Sequence, residues 1–344
     1  MEHKKIKVAI NGFGRIGRAF LKIAWERPEI EIVAVNDLGS IESLTYLLKY
    51  DTVYRKWSHE VSQDGTHIIV DGKAIRFVSE KDSTKLPWRE LDVDVVVEST
   101  GLFTAYDKAK FHLDQGAKKV VISAPAKVGD DAGVRGETIL MSVNENKFGT
   151  TDITSNASCT TNAASPLIGI LHEAIGIEKA ILNTVHGYTA SQALVDGPSK
   201  KDLREGRAAA QNIVPSSTGA AIAVTKAYPE FEGLFDGISI RVPVPAGSIV
   251  DITFIAMRGT TKEEVNAILK NASKDTRWQK VFAVTEEPLV SSDILSRSEA
   301  CIADLEMTRV VGGNLVKVMG WYDNEMGYTH TLVEHVIKTG GRIK

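Results

Sequence analysis

One of the two cysteines lies in a run of small and hydroxyl-bearing residues, Ser155-Asn156-Ala157-Ser158-Cys159-Thr160-Thr161-Asn162. An apolar stretch of helical character, residues 163–171, follows directly. A thiol at a helix N-terminus lies at the positive end of the helix dipole and beside unpaired backbone N–H groups. Because both favour the thiolate, we expect the pKa of Cys159 to be lowered and the residue to act as a nucleophile. The competing interpretation is a small buried structural cysteine.

A basic partner for this thiol is available in His186. Residues 180–185 predict a strand, and His186 leaves it into the polar loop Gly187-Tyr188-Thr189. A histidine at such a position is often structural, but beside a candidate thiol nucleophile it becomes a base or an ion-pair partner. The sequence does not establish that the two side chains meet.

Two other segments of the second half could hold anions. Thr218, followed by Gly219-Ala220-Ala221, is predicted to cap a helix whose free amides could bind a phosphate, or to be an ordinary cap. Arg241 ends the predicted strand 237–242. An arginine in an apolar strand needs an anionic partner, either a protein carboxylate or a ligand phosphate.

The elements that must position these side chains begin with a glycine-rich turn. Residues 6–10 predict a buried strand, Gly12-Phe13-Gly14-Arg15-Ile16-Gly17 follows, and residues 15–25 have helical spacing of apolar residues. In this strand–turn–helix context the motif indicates a dinucleotide site, with phosphates over the amides of Arg15 and Ile16. The alternative is a glycine-rich turn without a ligand.

A doubly wound α/β pattern continues from this turn. A second strand, 31–36, ends at Asp37, whose carboxylate would bind a ribose diol and repel the extra phosphate of NADP. Later strands end before Ser99-Thr100 and at Ser123, which we expect near the cofactor unless they only cap turns. In the second half, residues 249–257 and 315–322 predict further strands of a broad sheet, and 325–338 predict a closing helix.

Bulk composition narrows the function classes. The chain has 344 residues, 43% hydrophobic and 25% charged, and a formal net charge of −3. These values predict two globular domains and give no sign of nucleic-acid or membrane binding. Cys301 is expected to be a buried strand residue, so no disulfide framework is predicted. With no signal peptide or membrane span in the sequence, we expect a cytoplasmic enzyme.

Together these motifs resemble the phosphorylating glyceraldehyde-3-phosphate dehydrogenases along the whole chain. The motifs that carry the resemblance are the glycine turn extended to residues 11–18, Asn36-Asp37, Ser99-Thr100-Gly101, Ser123-Ala124-Pro125-Ala126-Lys127, the Cys159 octet, residues 207–212, and Trp321-Tyr322-Asp323-Asn324-Glu325. The resemblance implies an N-terminal Rossmann domain, 1–157, and an α/β catalytic domain with a broad, mostly antiparallel sheet, 158–322. It also implies that a C-terminal helix in 323–344 packs back on the first domain.

The resemblance further implies roles for individual residues. Cys159 would be the nucleophile and His186 its activator. The residues expected to hold NAD are Arg15, Ile16, Asp37, Lys81, Ser123 and Asn324, the last on the nicotinamide amide. Those expected to hold substrate and inorganic phosphate are Ser158, Thr160, Thr189, Thr218, Gly219 and Arg241. No metal site is expected. The family is usually a homotetramer in which the loop 196–211 lies near a neighbour's cofactor.

The reaction implied is NAD-dependent oxidation of glyceraldehyde 3-phosphate to 1,3-bisphosphoglycerate, through a hemithioacetal and a thioester on Cys159. The chain departs from the common pattern of the family at five places: Lys81, Ala163, Gly187, Val244-Pro245-Ala246-Gly247 and Met326. Gly187 is expected to loosen the loop that presents the imidazole, and Gly187 and Val244 to alter phosphate affinity.

Other functions stay open at this stage. One is oxidation of a related phosphorylated aldehyde such as erythrose 4-phosphate. Others are a relative of aspartate-semialdehyde dehydrogenase and an NAD-binding protein without catalysis. NADP use is disfavoured because Leu38, rather than an arginine, follows Asp37.

Overall fold

The computed structural model describes residues 4–199 and 202–343. The chain forms two compact units: the first takes in the chain up to Ile139, residues 145–157 and the chain from Thr329 on, and the second takes in 140–144 and 158–328. The predicted domain limits stay a prediction. The compact units differ from these limits at two places, because residues 140–144 and 323–328 belong to the second unit rather than to the first.

The strands are β1 (Ile6–Asn11), β2 (Ile30–Asn36), β3 (Tyr50–Asp51), β4 (Arg55–Lys56), β5 (Val61–Gln63), β6 (His67–Val70), β7 (Lys73–Val78), β8 (Val95–Glu98), β9 (Lys119–Ile122), β10 (Glu137–Thr138), β11 (Ile153–Ser155), β12 (Ile177–Gly187), β13 (Val214–Ser217), β14 (Phe235–Val242), β15 (Ser248–Ala256), β16 (Phe282–Thr285), β17 (Cys301–Asp304), β18 (Arg309–Val311) and β19 (Leu315–Tyr322). The α-helices are α1 (Arg15–Trp25), α2 (Ile41–Lys49), α3 (Tyr106–Ala109), α4 (Phe111–Asp114), α5 (Cys159–Ile175), α6 (Ala220–Thr225), α7 (Lys262–Ala272) and α8 (Met326–Gly340).

The first unit is built on one sheet in the order β10-β11-β9-β8-β1-β2-β7-β6-β5. Strands β10 to β7 of this order pair in parallel, and β6 and β5 add an antiparallel edge. The central strands are short runs of buried valine and isoleucine, as expected when helices cover both faces of a parallel sheet. The predicted Rossmann-type fold is confirmed, and the carboxyl ends of β1, β2, β8 and β9 share one edge, where such sheets bind ligands.

The C-terminal helix α8 packs within this unit. The His335 side chain is buried, with Nε2 2.8 Å from the Thr154 hydroxyl of β11. The Asn156 amide donates to the Thr331 hydroxyl at 3.0 Å. Asn156 belongs to the cysteine octet, so α8 helps to fix the segment that leads to Cys159.

The second unit is built on a sheet in the order β13-β14-β12-β15-β19-β17-β16, with β18 also paired to β19. Within the described residues, β12 and β14 are parallel, as are β16 and β17, and the other five pairings are antiparallel. The broad, mostly antiparallel sheet is therefore as predicted. Helix α5 is buried along nearly its whole length, and Cys301 is a fully buried strand residue as expected.

Candidate active site

The predicted nucleophile is the first residue of α5. Ser158 precedes it as the N-cap, and its hydroxyl accepts the Thr161 N–H at 3.1 Å. One residue earlier, Ala157 has φ 56°, a left-handed conformation that is uncommon for a residue with a side chain. This sharp turn between β11 and α5 places the half-buried Cys159 among the free amides of the first helical turn.

His186 meets the thiol, as the sequence suggested. It is the second-last residue of β12, 3% exposed, and its Nε2 lies 3.4 Å from Sγ of Cys159. The ring also packs edge-on against Tyr322, with centroids 5.8 Å apart. The pair is therefore arranged for proton transfer between thiol and imidazole.

Arg241 joins this pair through the sheet. Strands β12 and β14 are parallel neighbours, and their register puts Arg241 directly opposite His186. A terminal guanidinium nitrogen lies 2.6 Å from Nδ1 of His186, and Nδ1 is also 2.6 Å from the Gly187 carbonyl oxygen. A guanidinium only donates and a carbonyl only accepts, so the partner that Nδ1 takes decides the tautomer. Pairing with the carbonyl leaves the Nε2 lone pair facing the thiol.

The titration behaviour of the pair corrects one expectation. Withdrawal from water raises the pKa of the Cys159 thiol, against the lowering effects of the Arg241 charge and the Thr160 hydrogen bond. Burial, followed by the Arg241 charge, lowers the pKa of His186 to about 3. The predicted lowered thiol pKa is therefore wrong, because desolvation outweighs the positive charge and the hydrogen bonds that favour the thiolate. The pair is neutral, with a thiol beside an imidazole that can accept its proton.

A chain of hydroxyl groups next to Cys159 was not predicted. The Thr184 hydroxyl donates to the Ile249 carbonyl at 3.2 Å, so it accepts from the Tyr322 hydroxyl at 2.7 Å. Tyr322 in turn accepts from the Thr160 hydroxyl at 2.9 Å. The Thr160 hydroxyl oxygen thus lies between the Tyr322 hydroxyl and, at 4.0 Å, Sγ of Cys159, and its contact with substrate or phosphate stays a prediction. Tyr322 is in a motif that the sequence analysis singled out, but no local pattern assigned it this contact.

A second unpredicted link connects the His186 loop to Asn324. The Gly187 N–H donates to the Ser248 hydroxyl at 3.3 Å, and that hydroxyl donates to Oδ1 of Asn324 at 3.1 Å. The Gly247 N–H also donates to this oxygen, at 3.0 Å. Asn324 is thus held through its oxygen, and its contact with the nicotinamide amide stays a prediction.

The same region changes the interpretation of Gly187. A Cβ at Gly187 would lie 3.0 Å from the Val244 carbonyl oxygen and 3.3 Å from Cα of Ala246. The Tyr188 N–H donates to that carbonyl at 3.0 Å. The backbone of the Val244–Gly247 turn occupies the space that a side chain at position 187 would need, and the expected loosening of the loop stays a prediction. The two departures from the family pattern are neighbours that fit each other.

The remaining predicted anion ligands form contacts elsewhere. The Thr189 hydroxyl lies 3.0 Å from the Ser191 hydroxyl, and the Thr218 hydroxyl accepts the Ala220 N–H at 3.2 Å. Gly219, rather than Thr218, is the N-cap of α6, which has six residues. Roles for Thr189, Thr218 and Gly219 in binding substrate or phosphate stay predictions.

In the first unit, the glycine turn fits a dinucleotide phosphate. Gly12 has φ +96°, and a Cβ there would collide with Thr100 N at 2.6 Å. A Cβ on Gly17 would lie 2.2 Å from the Gly12 carbonyl oxygen, so helix and turn pack without room for a methyl group. A Cβ on Gly14, the N-cap of α1, would meet nothing within 4 Å, so the backbone there is open to a ligand. This is the distribution of roles that a pyrophosphate site requires.

The other predicted cofactor residues of this unit lie along the same sheet edge. Asp37 follows β2, and its two carboxylate oxygens accept the Phe13 N–H at 2.7 Å and the Gly39 N–H at 2.8 Å. Ser123 follows β9, and Lys81 is exposed in the segment after β7. The Arg15 guanidinium pairs with Asp51 at 2.8 Å, so the backbone amides of Arg15 and Ile16, rather than the Arg15 side chain, are the groups suited to a phosphate.

A Rossmann-type unit with this turn, next in sequence to a unit with a thiol–imidazole pair, is typical of a dinucleotide-dependent oxidoreductase that uses a cysteine. Two family models match the chain: the glyceraldehyde 3-phosphate dehydrogenase NAD binding domain over residues 6–106, and the C-terminal domain of the same dehydrogenase over 158–324. The chain belongs to the glyceraldehyde-3-phosphate dehydrogenase family, whose members are NAD-dependent enzymes.

Similar proteins cover almost the whole chain. Glyceraldehyde-3-phosphate dehydrogenase 2 of Streptomyces avermitilis is 46% identical over 98% of this chain and 99% of its own length. The enzyme of that name from Geobacillus stearothermophilus is 46% identical over 96% of each chain. Glyceraldehyde-3-phosphate dehydrogenase 3 of Saccharomyces cerevisiae is 45% identical over 97% of this chain and 99% of its own.

Across residues 4–199 and 202–343, every helix is too short or too polar to cross a membrane. The same residues contain no group of three or more His, Cys, Asp or Glu side chains that could hold a metal ion.

Proposed function

We propose that this chain oxidises glyceraldehyde 3-phosphate with NAD and inorganic phosphate to give 1,3-bisphosphoglycerate. The similar proteins are named for the dehydrogenase activity on this aldehyde. In the chain itself, the observation that carries the proposal is the 3.4 Å contact between Cys159 Sγ and His186 Nε2 at the start of α5.

The first step is attack on the aldehyde. Nε2 of His186 takes the thiol proton, and Sγ of Cys159 forms a bond to the carbonyl carbon. The carbonyl oxygen takes the electron pair of the C=O double bond and becomes an oxyanion. The Cys159 backbone N–H at the N-terminus of α5 and the protonated imidazole are donors for that oxyanion, which is then protonated to a hemithioacetal.

Bound NAD supplies a hydride acceptor for the next step. His186 removes the hydroxyl proton of the hemithioacetal as the hydride leaves, so a thioester stays on Cys159. The residues proposed to hold NAD are the amides of Arg15 and Ile16, the side chains of Asp37, Lys81 and Ser123, and the Asn324 amide. The open space over Gly14 and the fixed orientation of Asn324 support this assignment.

Inorganic phosphate then releases the product. A phosphate oxygen attacks the thioester carbon, and the Cys159 thiolate leaves. The Arg241 side chain supports an anion site beside the thiol, because its buried Nε atom has no hydrogen-bond partner among the described residues. Ser158, Thr160, Thr189, Thr218 and Gly219 complete the proposed substrate and phosphate ligands.

The proposal is tested by following NADH formation from glyceraldehyde 3-phosphate and NAD, with and without phosphate or arsenate. We expect phosphate-dependent turnover that Cys159→Ser abolishes and the matched control Cys301→Ser retains, because Cys301 is a fully buried thiol of β17. Turnover without phosphate would indicate hydrolysis of the thioester instead. Faster turnover of erythrose 4-phosphate would replace the proposed substrate.

We also propose that the enzyme is a homotetramer. The face of the second-unit sheet that α5 does not cover carries exposed apolar side chains on neighbouring strands, among them Ile181, Ile238 and Leu315. The strand register puts all three on this face. Exposed apolar side chains spread over several strands of one sheet face support burial against another copy. Sedimentation of a monomer at micromolar concentration would contradict the tetramer.

We propose a cytoplasmic location. Both cysteines are free thiols, and the Cys159 chemistry requires a reduced thiol, which a reducing compartment maintains. Fractionation of the native cells with antibody against the chain tests this location.

A further inference from the structure

A row of buried polar side chains crosses the first-unit sheet just before the proposed NAD ligands. Asn36, Asn11 and Glu98 end β2, β1 and β8, and the strand register puts them on one rung. They are 7%, 2% and 2% exposed. Each directly precedes a segment of the proposed cofactor site, so the rung lies between the apolar core and the ligand-binding edge.

The Glu98 carboxylate accepts four hydrogen bonds. Its Oε1 accepts from the Thr100 N–H at 2.9 Å and from the Thr100 hydroxyl. Its Oε2 accepts from the Asn11 amide at 2.6 Å and faces Nε2 of His112 at 3.0 Å. Trp88 donates its indole N–H to Nδ1 of His112 at 2.9 Å, so Nδ1 is an acceptor and Nε2 carries the proton that goes to Glu98.

Four donors fill the four lone-pair positions of an ionised carboxylate and leave no acceptor for a carboxylic acid proton. His112 is neutral in this arrangement, because its Nδ1 accepts from Trp88. Burial lowers the pKa of His112, which agrees with the neutral ring. The negative charge of the network is therefore carried by Glu98.

This charge sets the orientation of two amides in succession. A carboxylate only accepts, so Asn11 must present its nitrogen to Glu98 and its oxygen to Asn36. Asn36 then presents its nitrogen to Asn11 at 2.8 Å. With that orientation fixed, Asn36 makes a two-point contact with the Glu80 backbone, accepting the N–H at 2.9 Å and donating to the carbonyl at 3.1 Å. Lys81 follows directly.

We propose that Glu98 is a positioning residue for NAD binding: its carboxylate orients the Asn11 and Asn36 amides and so fixes Thr100 and the Glu80–Lys81 segment at the cofactor edge. The inference rests on the NAD site proposed above. It assigns no contact with NAD to Glu98, which acts through the residues that it orients.

The first test is Glu98→Gln in the full-length protein, with NAD affinity measured by titration calorimetry. A glutamine side chain has one carbonyl oxygen and one NH2 group in place of the two carboxylate oxygens. Its NH2 group must therefore face either the Thr100 N–H or the Asn11 and His112 N–H groups, all of which are donors. We expect NAD to bind about 5- to 100-fold more weakly, the range for one buried donor left unpaired. Alkylation of Cys159 by iodoacetamide without NAD should keep the wild-type rate, because Cys159 belongs to the second unit.

A double variant separates positioning from simple loss of stability. An aspartate at position 36 cannot donate to Asn11. In Asn36→Asp alone, the carboxylates at positions 36 and 98 both require the single amide nitrogen of Asn11, so this variant should also bind NAD more weakly. In the double variant Glu98→Gln/Asn36→Asp, the introduced glutamine donates to Asn11, and Asn11 donates to the introduced aspartate. The His112 Nε2–H still faces a donor, as in Glu98→Gln alone, so only the Asn11–Asn36 part of the loss is repaired. That aspartate still accepts the Glu80 N–H. We expect the combined loss of NAD affinity to be at least about 5-fold smaller than the product of the single losses.

Two outcomes overturn the inference: wild-type NAD affinity in Glu98→Gln, or losses that multiply in the double variant. If Glu98→Gln does not fold, Asn36→Ala decides, since it removes the amide that holds Glu80 and donates to Asn11 while leaving Glu98 in place; unchanged affinity for ADP-ribose in that variant also overturns the inference. Asp37→Ala tests the NAD site itself. If Asp37→Ala binds NAD more weakly and the losses of NAD affinity in the double variant multiply, the positioning role of Glu98 is contradicted while the proposed NAD site stands.

Discussion

At the scale of single residues, one positive charge affects both partners of the catalytic pair. Arg241 lies against His186 and lowers the pKa of both the imidazole and the Cys159 thiol, while burial acts on the two groups in opposite directions. The resulting neutral pair is not a standing ion pair, which supports the proposed role of His186 as the base that takes the thiol proton when substrate binds.

His186→Asn tests this role. Asparagine fits a similar space but cannot take a proton, so we expect kcat to fall by about 100-fold or more. Alkylation of Cys159 at neutral pH should also slow, and should recover at high pH where hydroxide deprotonates the thiol. His59→Asn, in the first unit, is the control. A kcat near the wild-type value in His186→Asn would mean that another group takes the proton.

Arg241→Gln should act on both affinity and titration. Loss of the guanidinium should raise KM for phosphate or for the phosphorylated aldehyde by about tenfold or more. Because the Arg241 charge lowers the pKa of Cys159, its removal should move the inflection of the alkylation rate to higher pH. Rates of iodoacetamide reaction across a pH series measure this shift. An inflection at lower pH would contradict the assigned electrostatics.

At the scale of elements, two glycines about one turn apart at the start of α1 differ in the space that is available for a side chain. Gly17 packs against the Gly12 carbonyl, whereas Gly14 faces open space. Gly17 serves the packing of helix on strand, and the open space at Gly14 supports the proposed approach of an NAD phosphate to the backbone there.

Gly14→Ala and Gly17→Ala form a matched pair. Gly17→Ala forces a backbone shift, and we expect a loss of about 1–3 kcal/mol in stability. Gly14→Ala should keep the wild-type melting temperature but weaken NAD binding by roughly tenfold, because its methyl group enters the phosphate space. Thermal unfolding and NAD titration of both variants distinguish the roles. Tight NAD binding by Gly14→Ala would show that the phosphates lie elsewhere.

At the scale of the whole molecule, three histidines of the described part of the chain are buried in the neutral state. Burial lowers the pKa of His186 and of His335 to about 3 each, and lowers that of His112. His59 differs: despite some desolvation, hydrogen bonds to Asp71 and Glu26 raise its pKa, so it stabilises the fold below its unfolded pKa. The three buried histidines have the opposite effect: the native state resists their protonation, so they lower its stability in acid.

The protein should therefore lose stability on acidification already at pH values above those at which its carboxylates titrate. Between the folded pKa near 3 and an unfolded pKa of about 6.5, the unfolded state binds the proton and the native state does not, so stability falls as pH falls. Each such histidine should cost about 1.4 kcal/mol per pH unit below that unfolded value. Urea unfolding at about pH 7.5 and about pH 5.5 measures the loss. His335→Gln should reduce this loss of stability between the two pH values. The same pH dependence in His335→Gln and the wild type would contradict the role assigned to the buried histidine.

The sequence by itself determined the elements and the type of chemistry. The bounds of α1 and β19 agree with the prediction, because glycine spacing and apolar periodicity act over a few residues. The Cys159 octet and the glycine turn likewise indicated a nucleophile and a dinucleotide site. The order of motifs along the chain identified the family.

Only the tertiary structure decided how distant residues act on each other. Cys159, His186 and Arg241 are far apart in the chain and meet through the sheet register and the start of α5. The thiol pKa was predicted in the wrong direction because the helix terminus is a local feature, whereas desolvation depends on everything packed around the group. The polar rung that ends at Glu98 escaped prediction for the same reason: its residues become neighbours only when three strands pair in one register.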